Sequence, residues 1–104
     1  MSEETSKELI EKLTNDIDEA KWELIKDHHD RGSAFLVDDS LDLVAVGVAM
    51  AKDQVEYIRT WLSEEKILQP TEELITTWKE ADVYFRYLIV QPYVLIQIKR
   101  VEMD

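Results

Sequence analysis

Four carboxylates, Asp38, Asp39, Asp42 and Asp53, come nearest in this chain to a chemical site by type and spacing. The first three cluster where a short apolar run gives way to a helix-forming one. Carboxylates at such a junction can hold a hard cation or position water for acid–base work. They also have a plainer use. Asp39 and Asp42 stand where a helix start leaves N–H groups without partners, and Asp53 precedes the next helical run, so all three read as caps. A calcium loop would need a glycine and a ligand spacing that are missing here. His28 and His29 are adjacent, hence about 100° apart on a helix and poorly placed to share one metal; they suit a helix C-terminus, where positive charge complements the dipole. Trp22, Trp61 and Trp78 could line a groove, but each falls at or beside an apolar helical position and reads first as core. No Ser-His-Asp, Walker or Rossmann pattern occurs, and Gly32 and Gly47 are the only glycines. Two glycines cannot build a phosphate-cradling loop. No catalytic, cofactor-binding or metal-binding residue is assigned on these grounds, and the alternative reading, a small-ligand or metal-assisted enzyme, rests on Asp38, Asp39 and Asp42 with a tyrosine or tryptophan pocket.

Composition narrows the partners. Twelve Lys and Arg stand against twenty-three Asp and Glu, net −11, which disfavours direct nucleic-acid binding because that needs clustered cations. An acidic mimic of nucleic acid is conceivable, but the acids alternate with lysines, as in Lys7-Glu8, Glu11-Lys12 and Lys79-Glu80, in the manner of a solubilising surface. Residues 1–82 carry nine cations and twenty-one anions, net −12, whereas 83–101 carry Arg86, Lys99 and Arg100 and no acid. The tail can therefore lie against acidic elements of its own chain or of a second copy. The absence of cysteine removes disulfides and thiolate metal sites. Met1-Ser2-Glu3-Glu4 does not resemble a secretory leader, and no run reaches the roughly 18 apolar residues of a membrane span. The expectation is a cytoplasmic protein without membrane contact.

The elements that must position these residues read as follows. Residues 1–5 are expected to be disordered. Leu9, Leu13, Ile17, Ala20 and Leu24 recur at helical spacing and predict one amphipathic helix from Ser6 to about Arg31, stopped by Gly32. Ser33–Val37 is a short apolar run that suits a buried strand. Leu41–Ala51 is apolar on nearly every face and predicts a central buried helix capped by Asp39 or Ser40. Gly47 within it costs about 1 kcal/mol of helix propensity relative to Ala, which implies a neighbour too close for a Cβ. Asp53-Gln54-Val55-Glu56 predicts a capped helix that turns Val55, Ile58 and Leu62 inward and ends between Ser63 and Lys66. Ile67-Leu68-Gln69, ahead of Pro70, is too short for a helix, and Thr71 caps a further one ending near Ala81 or Asp82.

The tail, Val83 to Val101, is dominated by β-branched and aromatic residues on both faces and reads as two central strands, 83–90 and 93–101. A continuation of the preceding helix through Leu88 competes for the first of them. A tight hairpin at Gln91-Pro92 is disfavoured, since two-residue hairpins want positive φ and proline fixes φ near −65°; a bend, bulge or sheet crossing is expected instead. The sum is a single α+β domain over 1–104, about four helices packed on a small sheet of Ser33–Val37 and the two C-terminal strands.

The order strand, Leu41-Asp42-Leu43 helix, Ala49-Met50-Ala51-Lys52-Asp53, Trp61-Leu62 and Val90-Gln91-Pro92-Tyr93-Val94-Leu95-Ile96-Gln97 resembles a family of short bacterial proteins known as domain of unknown function 2288. Ala20-Lys21-Trp22-Glu23-Leu24 joins the resemblance, which runs from about Asp18 to Gln97; the basic ending Ile98-Lys99-Arg100 departs from it. It implies a bacterial, cytoplasmic, single-domain α+β protein and carries no activity. The functional expectation is a non-enzymatic interaction module that self-associates, as a homodimer or with a protein partner, through its C-terminal strands, with Tyr84, Tyr87, Tyr93, Leu95 and Gln97 at the interface.

Overall fold

The computed structural model describes residues 3–99, and side chains from Lys7 onward. The described residues form five helices and five strands in the order α1 (Glu3–Asp16), β1 (Asp18–Lys21), α2 (Trp22–Asp30), β2 (Ala34–Val37), α3 (Leu43–Ala51), α4 (Val55–Ser63), β3 (Ile67–Leu68), α5 (Glu72–Ala81), β4 (Tyr84–Val90) and β5 (Tyr93–Ile98). The strands form one sheet in the order β1-β4-β5-β2-β3. Only the β2–β5 pair is parallel. Strand alternation sends Phe35, Val37, Leu88 and Leu95 to one face, under α1, α3 and α4, and Ala34, Phe85, Val94 and Ile96 to the other, under α2 and α5. The result is a three-layer α+β domain with a core on each side of the sheet.

This layering explains why the predicted long helix is two helices. Leu9, Leu13 and Ile17 pack into the first core, whereas Trp22 and Ile25 pack into the second. No straight helix could serve both. The chain crosses between layers at the sheet edge, where Asp18–Lys21 pairs antiparallel with β4, Ala20 opposite Phe85. Leu24, counted in the apolar stripe, is left exposed.

The other predicted elements hold with shifted ends. Asp42, not Asp39 or Ser40, is the N-cap of α3 and accepts from Ala45 N at 3.0 Å. Asp53 does not start α4. It adopts φ 55° and closes α3, its N–H donating to Met50 O and that of Gln54 to Ala49 O, a left-handed C-terminal cap. The N-cap of α4 is Gln54, without a side-chain bond. Thr71 caps α5 as expected, accepting from Leu74 N at 3.2 Å. α3 lines the sheet on one side only: Leu43, Val46, Gly47 and Ala49 are buried while Ala45 and Ala51 face outward. A Cβ on Gly47 would lie 2.7 Å from Leu88 Cδ2, the close approach its presence implied.

Residues 84–90 are strand, not a continuation of α5, which ends in a left-handed residue at Asp82. The expectation of a bend or sheet crossing at Gln91-Pro92 is overturned: Val90 pairs with Tyr93, so the chain reverses in two residues. The Gln91–Pro92 peptide is cis. A turn with cis proline at its third position is its own class and does not call on the positive φ of primed turns. Of the predicted 93–101 strand, residues 100 and 101 lie outside the described residues, as do Met1 and Ser2 of the segment expected to be disordered; α1 begins at Glu3.

Candidate functional site

α4 is the helix the fold covers least. Val55, Ile58 and Leu62 recur at i, i+3 and i+7 along one side, and Trp61 lies beside them, yet no residue of α4 is buried. Val55 and Leu62 keep 46% and 45% of their surface exposed, although the apolar periodicity assigned them inward. The reason is a gap between α4 and the sheet. Phe35 of β2, Ile67 of β3, Met50 of α3 and Tyr93 of β5 form its floor and far wall, Val55, Ile58 and Leu62 its near wall, and Asp53 lies at its end; the cleft measures about 230 Å³. Phe35 and Tyr93 meet edge to face at 5.8 Å between ring centroids, which stiffens the far wall. Such a volume lies below the roughly 300–1,000 Å³ of sites that enclose a whole small-molecule ligand. It suits apolar side chains presented by another surface.

The five residues expected at an interface do not share a surface. Tyr93 rims this cleft. Tyr84, 49% exposed, lies away from it with Lys21 Nζ 5.2 Å from its ring centroid. Tyr87 is half-buried against the second core. Leu95 is fully buried. Gln97 is buried as well, its Nε2 donating to Asp38 O at 3.0 Å and Leu41 O at 2.8 Å, so that it ties the loop before α3 to β5. Lys99 of the cationic tail pairs with Glu19 of its own chain at 2.9 Å.

The acidic cluster is spread over separate structural tasks. Asp42 caps α3. Asp38 accepts from Ser40 Oγ at 2.6 Å and Ser40 N at 2.9 Å, with Lys66 Nζ at 3.9 Å. These bonds, the hydroxyl's above all, hold the Asp38 carboxyl below the usual carboxylate range. Asp39 lines a shallow depression with Arg86, Gln97 and Lys99, and a second with Asp38. Among the described residues no group of three His, Asp or Glu side chains is placed to hold a metal ion. Trp22 and Trp78 are buried with ring centroids 5.4 Å apart, and Phe85 stands edge-on to Trp78 at 4.8 Å; they are core, and Trp61 is half-buried against the other core. His29 packs on Trp22 at 5.3 Å. His28 faces Arg31, whose Nη2 donates to Nδ1 over a long 3.4 Å.

Periodicity could not reveal the cleft, since it reports which side of a helix is apolar and not whether that side is filled. Its walls come from five elements, and the sequence points only to Asp53, as a carboxylate, and Tyr93, as an interface residue.

No helix among the described residues is long and apolar enough to cross a membrane. No curated protein matches the chain. Among solved structures it is similar to the NMR solution structure of PA1075 from Pseudomonas aeruginosa, with 31% identity and a TM-score of 0.79 over 100% of this chain and 95% of the other. The model of the protein family of unknown function DUF2288 matches residues 8–98. With that match spanning both cores and the whole sheet, the chain belongs to the DUF2288 family.

Proposed function

We propose that this protein is a non-enzymatic interaction module of the bacterial cytoplasm, and that the cleft beside α4 receives apolar side chains of a partner protein flanked by basic residues. The observation that carries this is the half-open α4: an amphipathic helix with its apolar side facing a cleft and none of its residues buried. Charge selects the partner. Asp53 lies in the cleft, Glu56 in the first turn of α4 and Glu64 and Glu65 just beyond its end, four acids against Arg59 within the helix and Lys66 after it, and the chain carries −11 in all. A basic flank gains from that field, whereas a second copy brings the same −11 and must overcome it.

A titration of the isotope-labelled protein with two model peptides tests the reading, one amphipathic with leucines and lysines, the other with glutamates in place of the lysines. The basic peptide is expected to shift Val55, Ile58, Leu62 and Tyr93 saturably, the acidic one to leave them unmoved, and Leu62→Asp to abolish the response. Concentration-dependent dimerisation in sedimentation, with no response to either peptide, would assign the cleft to a second copy instead.

A further inference from the structure

At the same end of the sheet, on the face under α2 and α5, lies a second cavity of about 330 Å³ whose lining holds an arginine and no carboxylate. His28, Arg31, Ser33 and Gln91 supply its polar groups. Four other cavities of the described residues each include a carboxylate: Asp53 in one, Glu19 and Asp82 in another, Asp39 in the third, Asp38 and Asp39 in the fourth. In a chain with twenty-three acids, this cavity has none in its lining.

Its polar groups can each donate to an anion. Arginine can only donate, so the contact from Arg31 Nη2 makes His28 Nδ1 an acceptor and places the N–H of the neutral ring on Nε2. Among the described residues no carboxylate pairs with Arg31, whereas Lys12, Lys21, Lys66 and Lys99 each have one. The Ser33 hydroxyl and the Gln91 amide add donors that no other described side chain takes. The negative end of α2 is covered, because Arg31 N, Gly32 N and Ser33 N donate to Asp27 O, His29 O and His28 O.

The backbone that carries these donors is held in place. Gln69 Nε2 donates to Gly32 O at 2.8 Å and Val94 N to Ser33 O at 2.9 Å, and Gln91 sits in a two-residue turn. Ile89, Pro92 and Val94 form the remaining, apolar wall. We propose that this cavity binds a small organic carboxylate, its one negative charge on the Arg31 guanidinium, which matches a carboxylate in two-point geometry, and its apolar body against that wall.

The probe is butyrate, followed by amide and side-chain NMR shifts, with butylammonium and inorganic phosphate as comparisons. Saturable shifts at His28, Arg31, Ser33 and Gln91, at millimolar concentration and absent with butylammonium, are the expected result. Arg31→Gln should weaken binding roughly tenfold to hundredfold, as loss of a charged hydrogen bond does. Gln91→Glu, which places a carboxylate in the cavity and leaves the exposed guanidinium untouched, should abolish it. Arg86→Gln, at an exposed arginine outside the cavity, should leave it unchanged. Equal affinity in Arg31→Gln, shifts centred elsewhere, no saturable response, or a stronger response to phosphate than to butyrate would each overturn the assignment.

Discussion

Gly47 is where α3 comes closest to the sheet, and its replacement by alanine tests that geometry quantitatively. The added Cβ would lie 2.7 Å from Leu88 Cδ2, 3.2 Å from Leu13 Cδ1 and 3.7 Å from Val90 Cγ2. Both leucines are buried, Leu88 completely, so each methyl can withdraw only by repacking. Overpacking of that kind costs about 1–3 kcal/mol, while alanine regains about 1 kcal/mol of helix propensity. The single variant is thus expected to be destabilised by about 0–2 kcal/mol. A double-mutant cycle separates the two effects. Leu88→Ala alone should cost about 2–5 kcal/mol through its cavity. On that background the nearest clashing methyl is gone, and Gly47→Ala should become stabilising by about 1 kcal/mol. The coupling between the sites is therefore favourable by about 1–3 kcal/mol. Urea unfolding of the four proteins by circular dichroism reads it, with unchanged slopes confirming a common unfolding reaction. Additivity within about 0.5 kcal/mol would refute the contact.

Gln97→Met keeps much of the side-chain volume but leaves two loop carbonyls without the Nε2 donor; a loss of about 1–3 kcal/mol is expected in urea unfolding, with faster amide exchange over 38–41. Asp38 bears on pH. Its folded carboxyl ionises below its unfolded value, chiefly through the Ser40 hydroxyl, so its contribution to stability is present above the unfolded pKa and is lost as pH falls through the folded one. Carboxyl carbon shifts should therefore show Asp38 titrating below an ordinary aspartate, and Ser40→Ala should move its midpoint upward; an unmoved midpoint would refute the assigned cause.

Legibility in the sequence followed how local each determinant is. Thr71, the apolar run at 34–37 and the β-branched tail act within a few residues, and their elements stand where they were expected. Gly47 was legible for another reason: an unfavourable residue inside a strong helix has few explanations other than packing. What failed was non-local. The stripe from Leu9 to Leu24 is continuous on paper, yet its first half belongs to one core and Trp22 and Ile25 beside its second half to the other, a division that only the position of β4 imposes. Asp18-Glu19-Ala20-Lys21 has little strand character of its own and is extended because β4 offers it an edge. The carboxylate-free cavity was invisible for the same reason, since it is the sheet that brings Gln91 beside the His28–Ser33 stretch.

The position of the aromatic tail also bears on the proposed partner surface. An exposed strand recruits another by offering unpaired N–H and C=O groups, and β4 and β5 offer few: β4 lies between β1 and β5, and β5 between β4 and β2. A strand added to either would have to displace one already paired. The true edges are β1, four residues of which three are charged, and β3, two residues long. Short and charged edges are the forms that resist strand addition. The partner binding proposed above therefore runs through side chains, and the tail contributes to it in proportion to what it leaves uncovered. Leu95 and Gln97 are spent on the interior. Tyr93, the first residue after the Gln91-Pro92 turn, alternates outward on the α4 side, and through it the strongest strand signal in the sequence reaches the cleft.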